Sequence, residues 1–216
     1  MKTMLLRYVR LLEYLYHYLF WEFPRGLDFS IRAKKRGITL EGNHGYALTS
    51  KKALKNILSK IPYRKLSFLD IGSGKGGVIC YAYELGCERS EGIEYEEFLH
   101  TIAQKNIKIL EYNEHVKSTK IDARDFERYA EFDIYFMFNP FDPDIYSEVV
   151  NSIFKQNKAI LHLEREKYLI CYGDANLDAV NKTKYFELLT EQKCPYRGNL
   201  YRIYKSIFIS TNDSIV

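Results

Sequence analysis

The sequence predicts a single α/β domain built around a mostly parallel sheet. Its 216 residues suffice for one such domain with an appendage and are too few for two independent cores. A short apolar strand, "LSFLDIG", passes directly into a glycine turn and a helix, "GGVICYAYELG", which ends at Gly86. This is half of a βαβ unit, and a second strand, "SEGIEYEEF", follows and ends at Glu94.

Composition excludes several classes of protein. Apolar residues make up 46% and charged residues 28% of the chain, as in ordinary globular domains. The formal net charge of +4 is too small to indicate a nucleic-acid partner, and the basic residues concentrate only in residues 32–36. The four cysteines lack the spacing of a zinc site or a disulfide framework, so we expect buried free thiols.

The N-terminus predicts an amphipathic helix with a wide apolar face. Charged residues recur through the segment, which disfavours a transmembrane span, and no cleavage site for a signal peptide follows. We therefore expect a cytoplasmic protein. The helix could pack on the domain core, on a second copy of the chain or on a membrane surface. The apolar stripe consists of Leu5, Tyr8, Leu12, Leu15, Leu19 and Phe23.

The segment after Phe23 is rich in glycine and charge and has no sustained period, which is typical of an ordered linker or lid. Thr49 or Ser50 can then cap the helix "KKALKNILSKI". These changes divide the chain into an N-terminal helix and lid over residues 1–45, a domain over residues 46–210 and a flexible tail over residues 211–216.

The glycine turn "LDIGSGKGG" fits the G-x-G-x-x-G pattern of a dinucleotide site, yet alone it shows only a tight turn from a strand into a helix. Glu94, seventeen residues after Gly77, could accept hydrogen bonds from a ribose of either cofactor class. Asp70, two positions before Gly72, distinguishes the classes. Its negative charge repels a pyrophosphate, whereas S-adenosylmethionine carries an ammonium and a sulfonium that it would attract.

At this point the chain resembles class I S-adenosylmethionine-dependent methyltransferases over about residues 46–142. The resemblance implies a Rossmann-like sheet of seven strands in the order 3-2-1-4-5-7-6, with the last strand antiparallel and helices on both faces. It also implies that Asp70, Gly72, Ser73 and Gly74 hold the methionine part of the cofactor.

The second and third motifs, "GIEY" and "KIDARDF", imply the nucleoside site. Glu94 would bind the ribose and Tyr95 would lie next to the adenine. Asp122 would accept from the adenine amino group, and the backbone of Ala123 would lie along the ring. Taken singly, Asp70 could instead cap the turn and Asp122 could begin the helix "ARDFERY".

The fourth motif, "FNPF", resembles the Asn-Pro-Pro-aromatic signature of methyltransferases that act on amino groups. Asn139, Pro140 and Phe141 are therefore the candidate catalytic residues, although Asn139-Pro140 could also form an ordinary turn. Asn139 is also a candidate cofactor contact. Phe141 at the third position departs from the signature. Related bacterial proteins with this variant of the motif include many whose substrate is unknown. The favoured acceptor is an amino group, either on a protein side chain such as lysine or on a small molecule. A glycan remains a further candidate acceptor.

The segment "GNHGYALTS" resembles the one that closes over the cofactor in some protein lysine methyltransferases. Tyr46, Thr49 and Ser50 are candidate cofactor contacts, with a loop that leads to a helix cap as the alternative. His44 is a candidate general base or a solvated loop histidine.

The remaining segments complete the expected fold. Asp142-Pro143 opens a helix, "EKYLICYG" predicts a fifth strand, and "KYFELLTEQ" with "LYRIYKSIFI" predicts an antiparallel pair. The function predicted from the sequence is therefore methyl transfer from S-adenosylmethionine. A non-catalytic binding protein with the same fold and a nicotinamide oxidoreductase remain alternatives.

Overall fold

A computed structural model of the protein describes residues 12, 15–30, 47–158, 165–173, 178–183, 185–196 and 198–207. The seven-stranded sheet has the order β3-β2-β1-β4-β5-β7-β6, which confirms the predicted fold class. Five strands are parallel, and β7 runs antiparallel to both β5 and β6. The strands are β1 (Ser67–Ile71), β2 (Arg89–Glu94), β3 (Val116–Lys120), β4 (Ile134–Phe138), β5 (Tyr168–Tyr172), β6 (Phe186–Lys193) and β7 (Leu200–Ser206).

The helices follow the predicted alternation with strands. Ser50 caps the first one, because its hydroxyl accepts from the Ala53 N–H at 3.3 Å. The second begins at the glycine turn and ends at Gly86, which has a left-handed backbone with φ of 109°. The helices are α1 (Lys51–Leu58), α2 (Gly77–Leu85), α3 (Glu97–Ile109), α4 (Pro143–Lys158) and α5 (Asp178–Lys182).

The central strands are buried on both faces, as expected for a sheet covered by helices. In β1, Phe68 belongs to the core cluster on one face of the sheet, while Leu69 and Ile71 belong to the cluster on the other. Strand β4 repeats this alternation, with Phe136 on the face of Phe68 and Met137 on the face of Leu69. The sheet is therefore held rigidly from both sides.

The described residues of the N-terminal stripe are exposed, and the partner of the stripe stays a prediction. A π-helix, Tyr18–Glu22, and a 3₁₀ turn, Phe23–Arg25, continue the helix, and the stripe residues Leu12, Leu19 and Phe23 are exposed. The other side of the helix contacts the domain: the Trp21 ring stacks on Phe29 at 5.9 Å and lies with its centroid 6.3 Å from that of Tyr81 on α2. The predicted amphipathicity is present, but the apolar face points to solvent.

The buried carboxylate of Glu22 fixes the chain after this helix. It accepts from the Phe29 N–H at 3.1 Å, from the Ser30 N–H at 2.9 Å and from the Ser30 hydroxyl, and His17 Nδ1 lies 3.1 Å away. Burial raises the pKa of Glu22, but the bonds from His17, Ser30 and Phe29 together lower it below the ordinary value. We call these four residues the Glu22 clasp.

The next residues join the N-terminal segment to the domain. Lys75 Nζ lies 2.6 Å from Asp28 Oδ1, and this lysine is 2% exposed. The Asn106 side-chain oxygen accepts a hydrogen bond from the Asp28 N–H at 3.0 Å. The Asn106 side-chain nitrogen donates to the backbone carbonyls of Asp28 and Lys75 at 3.2 and 3.0 Å. Leu27 and Phe29 are buried in a third core cluster with Ile79. The division of the chain at residue 45 stays a prediction.

All four cysteines are buried free thiols. Burial raises the pKa of Cys87 and Cys171 to about 12, so they are protonated at neutral pH. Within the described residues, no helix combines the length and the apolar character that crossing a bilayer requires.

Candidate functional site

A cavity of about 350 Å³ opens at the carboxyl ends of β1, β2, β3 and β4. This is where ligands bind in open α/β sheets. Tyr46 and His44 lie outside the described residues, and Ser50 is used as the helix cap. The cavity brings together every other predicted site residue, namely Thr49, Asp70, Gly72, Ser73, Gly74, Glu94, Tyr95, Asp122, Ala123, Asn139, Pro140 and Phe141.

The glycine turn is fixed by β2 and by the loop after β4. The Gly72 and Ser73 N–H groups both donate to the Ile93 carbonyl at 3.0 Å. Gly72 has φ of 81°, and a Cβ there would lie 2.7 Å from the Pro140 Cβ. Glycine is thus required twice at this position, by conformation and by the close approach of Pro140.

Lys75 in the middle of the turn points away from the cavity. Its ammonium pairs with Asp28 on the N-terminal segment, as described above. Among the described residues that line the cavity, Arg124 is the one basic residue that could contact a pyrophosphate. Its guanidinium is paired with the Asp122 carboxylate. The described cavity residues therefore provide no unpaired basic side chain for a pyrophosphate.

Asp70 is a buried carboxyl group that faces this cavity and is 3% exposed. No described residue donates a hydrogen bond to its carboxyl oxygens. Burial, and secondly the negative charge of Glu94, raise the pKa of Asp70 well above its ordinary value. A buried carboxyl group without partners is costly unless a ligand compensates it, so Asp70 identifies the place for a cation.

Glu94 ends β2 on the opposite side of the glycine turn. Its Oε2 accepts from the Gly74 N–H at 2.7 Å, and its Oε1 accepts from the Glu96 N–H at 2.9 Å. Burial raises the pKa of Glu94, and these two bonds oppose the shift. The carboxylate therefore orients the glycine turn and still presents free lone pairs to the cavity.

Asp122 lies at the rim of the cavity and is paired with Arg124. Arg124 Nε and its terminal nitrogen donate to the two carboxylate oxygens at 3.0 and 2.7 Å, and the Arg124 N–H donates at 2.9 Å. These hydrogen bonds lower the pKa of Asp122. Asp122 also begins a 3₁₀ turn, Ala123–Asp125, so the helix-starting role is present together with the place in the cavity. Tyr95 is exposed at the same rim.

Asn139 occupies a special backbone position at the end of β4. Its φ is 41°, in the left-handed region that asparagine tolerates better than most residues. Its side chain lies against Gly173 after β5, where an added Cβ would be 2.5 Å from Asn139 Nδ2. Gly173 therefore leaves the space that the Asn139 amide fills.

Three buried side-chain oxygens in the cavity have no hydrogen-bond partner within the part of the chain that the structure describes. They are Thr49 Oγ1, Ser73 Oγ and Asn139 Oδ1. Buried polar atoms are nearly always paired in folded proteins, so three orphans around one cavity indicate a polar ligand.

The sequence did not indicate Arg124, although an arginine two residues after an aspartate is within reach of it. It also did not indicate the apolar wall, because these residues look like ordinary core. The wall is formed by Leu48, Val78, Ile93, Leu99, Ile121, Phe136, Phe138 and Ile145.

Comparison with known proteins decides the family. The family model described as "Histone methylation protein DOT1" matches residues 41–158, which is more than half of the chain. The chain belongs to the DOT1 family. The matched part of this DOT1-family chain spans α1 to α4 and includes every cavity residue given above. No curated protein matches the sequence at a significant level.

Solved structures share the fold of the DOT1-family chain at low sequence identity. An RNA methyltransferase from Salinibacter ruber in complex with S-adenosyl-L-homocysteine has a TM-score of 0.60 at 16% identity and covers 77% of this chain and 98% of its own. A protein of the NADB-Rossmann superfamily from Streptococcus agalactiae has a TM-score of 0.58 at 16% identity, with coverages of 76% and 71%. A ribosomal protein L11 methylase from Lactobacillus delbrueckii subsp. bulgaricus has a TM-score of 0.52 at 14% identity, with coverages of 71% and 77%.

Family and fold together establish this DOT1-family chain as a methyltransferase of the class that the sequence predicted. The cofactor of that class is S-adenosylmethionine, as predicted. The finer prediction of a bacterial branch with an Asn-Pro-Phe motif stays a prediction.

Proposed function

We propose that the chain transfers a methyl group from S-adenosylmethionine to an amino group of an acceptor. This amino group would lie between Asn139 and Phe141, which follow β4. Asp70 carries the proposal, because it is a buried carboxyl group without a hydrogen-bond donor at the glycine turn. A cationic ligand would relieve both the burial of the charged Asp70 carboxylate and its repulsion by Glu94.

The residues around the cavity fit the cofactor in chemistry and in size. Asp70 and the glycine turn would hold the charged methionine part, with Ser73 Oγ as a further hydrogen-bonding group. Glu94 would accept from the ribose hydroxyls, and Asp122, Ala123 and Tyr95 would hold the adenine. The volume of about 350 Å³ lies within the range of small-molecule pockets, about 300 to 1,000 Å³.

When bound, the cofactor supplies an electrophilic methyl group on sulfur for an in-line displacement. The protein contributes position and exclusion of water. The Asn139 amide oxygen would accept from an acceptor N–H and orient the nitrogen lone pair, while Phe138, Pro140 and Phe141 wall off the solvent. Gly173 leaves the space that this amide occupies, because a side chain there would collide with it.

The acceptor is proposed from the fourth motif and from the description of the family. That description names histone methylation, which supports an amino group on a protein side chain as the acceptor. A small molecule is the second candidate and a glycan the third. The cytoplasm remains the expected location.

Titration calorimetry tests the cofactor. We expect micromolar binding of S-adenosylmethionine or S-adenosylhomocysteine and none of NAD. Heat with NAD and none with either sulfur nucleoside would revive the oxidoreductase alternative.

Methyl transfer from labelled cofactor into a fractionated lysate tests the reaction. Label in protein that resists base treatment supports an amino group on a side chain, and label in the small-molecule or glycan fraction selects another acceptor. Cofactor binding without any transfer in repeated lysates would favour the non-catalytic binding protein.

A further inference from the structure

The N-terminal helix presents a surface that the cavity does not use. Six large apolar side chains within twelve residues are exposed, and four of them, Leu12, Tyr16, Phe20 and Phe23, are about two thirds exposed, at 65%, 68%, 66% and 67%. The spacing places all six along one side of a helix. We call this surface the N-terminal apolar face: Leu12, Leu15, Tyr16, Leu19, Phe20 and Phe23.

The opposite side of the same helix is fastened to the domain. Trp21 stacks on Phe29, the Glu22 clasp closes the turn, and His17 lies with its ring centroid 4.8 Å from that of Trp21. Because these contacts fix the other side of the helix, the N-terminal apolar face is exposed to solvent. A cluster of this size on a soluble chain marks a site of interaction with a protein or a membrane.

Charge distinguishes these two kinds of partner. Residues 1–36 contain eight lysines and arginines and three acidic residues, an excess of five positive charges in a chain whose formal net charge is +4. The rest of the chain is therefore slightly acidic. Two of the three acids, Glu22 and Asp28, are engaged inside the fold by the clasp and by Lys75. The first 36 residues of the sequence therefore carry a concentrated positive charge.

We propose that the N-terminal apolar face docks on an anionic lipid bilayer, with the helix lying in the plane of the interface. Leucine and aromatic side chains on one side and basic residues nearby are the composition of such interfacial helices. Basic residues near an anionic surface add electrostatic attraction to the insertion of the apolar side chains. A second copy fits less well, because self-association would bring two positive segments together and six side chains are few beside the about 20 to 30 per partner of a stable interface.

Vesicle sedimentation with the full chain tests the proposal. We expect the protein to sediment with phosphatidylcholine vesicles that contain phosphatidylglycerol and not with phosphatidylcholine alone, and we expect added salt to weaken the binding. Phe20→Asp should lower the partition coefficient by about tenfold or more, because it removes a fully inserted aromatic side chain. Leu12→Asp should act in the same direction and guards against a folding defect in the first variant.

The matched control lies in β6, a strand at the edge of the sheet. Leu188 and Leu189 in β6 are about half exposed, so Leu188→Asp should leave vesicle binding within about twofold of the parent. Melting curves and cofactor titrations of each variant show whether it folds. Three results overturn the proposal: no difference between anionic and neutral vesicles, equal losses in Phe20→Asp and Leu188→Asp, or a dimer in sedimentation velocity that Phe20→Asp dissociates.

Discussion

At the scale of single residues, Asp70 and Asp133 show how the same side chain serves two purposes. Both are buried near β1 or β4, at 3% and 2% exposure. Asp133 accepts from the Ser67 N–H at 2.9 Å and from the Ser67 hydroxyl at 2.6 Å, so it ties two strands together. Asp70 has no such donors among the described residues and faces the cavity. The first stabilises the fold, and the second costs stability that a ligand restores.

We predict that Asp70→Asn stabilises the unliganded protein and weakens cofactor binding by at least about tenfold, about 1.4 kcal/mol. The raised pKa of Asp70 means that the folded state binds this proton more tightly than the unfolded chain does. The free energy of unfolding therefore decreases as pH rises from the unfolded pKa through the folded pKa, and the asparagine variant lacks this decrease. Thermal melting from about pH 4 to about pH 8, with calorimetry, measures both effects.

The matched variant is Asp133→Asn, which should lower the melting temperature and leave the affinity per folded molecule unchanged. If Asp70→Asn binds the cofactor within about threefold of the parent, the cation site lies elsewhere.

Asn139 is best tested by glycine, because an alanine would be strained at φ of 41° and would confuse a loop effect with a side-chain effect. We predict that Asn139→Gly binds the cofactor nearly normally and loses about two orders of magnitude in turnover, because misplacing an acceptor alone can cost that much. Binding and rate are measured on one preparation. Turnover at saturating cofactor within about threefold of the parent would contradict the orienting role.

Much of the candidate site could be predicted because the signals are local. The glycines, Asp70 and Glu94 lie at strand ends, and the carboxyl ends of parallel strands meet at one edge. The pairing of Arg124 with Asp122 and the contact of Gly173 with Asn139 were not predicted. The first depends on a side-chain rotamer, and the second joins residues 34 positions apart on neighbouring strands.

At the scale of elements, the link between the N-terminal segment and the glycine turn is the least expected. Lys75 looks like a phosphate-binding residue in sequence, yet its ammonium is buried against Asp28. Asn106 on α3 bonds the backbone of both residues. The turn that lines the cavity is therefore supported from behind by a segment about 45 residues earlier in the chain.

We predict that Asp28→Ala lowers the free energy of unfolding by roughly 3 kcal/mol, because it removes the Asp28 carboxylate from the buried Lys75 ammonium. Cofactor affinity should fall as well, since Lys75 sits between Gly74 and Gly76 in the turn. Chemical denaturation and calorimetry measure the two quantities.

The control for this link is Lys51→Ala, which breaks the more exposed pair with Glu84 and should change the stability by less than about 1 kcal/mol. Equal effects of the two substitutions would show that the Lys75 pair has no special role. A double-mutant cycle with Lys75→Met then isolates the coupling.

Periodicity located the N-terminal helix but could not tell which face meets the domain. A stripe of leucines and aromatics indicates only that one face avoids water. What anchors this helix is a stacked tryptophan and a carboxylate whose donors, Phe29 and Ser30, lie seven and eight residues later. Such contacts depend on the path of the chain after the helix, which no local pattern contains.

At the scale of the whole molecule, the sheet order was predicted in full and the role of the first 30 residues was not. The order followed from a resemblance supported by four motifs in sequence. The N-terminal segment has no such motif, yet Leu27 and Phe29 lie in the same cluster as Ile79 and Val116. The expected boundary between an appendage and a domain therefore needs a direct test.

We predict that a chain beginning at residue 15 keeps the stability and cofactor affinity of the parent. A chain beginning at residue 31 should melt at least about 6 °C lower, because it exposes the pocket that Leu27 and Phe29 fill, at about 1.5 to 3 kcal/mol for each side chain. Scanning calorimetry of both truncations measures the difference. Equal melting temperatures of the two truncated chains would show that residues 15–30 do not stabilise the domain.

The position of β4 beside β1 has a consequence for how such proteins can diversify. Among the described residues, the proposed cofactor contacts other than Asn139 lie between residues 49 and 123, whereas the proposed acceptor contacts begin at Asn139. The two halves of one cavity are therefore inherited as consecutive stretches of gene. A single recombination between β3 and β4 would join an unchanged nucleoside site to a new acceptor site, so that one ancestral module could be paired with many substrates.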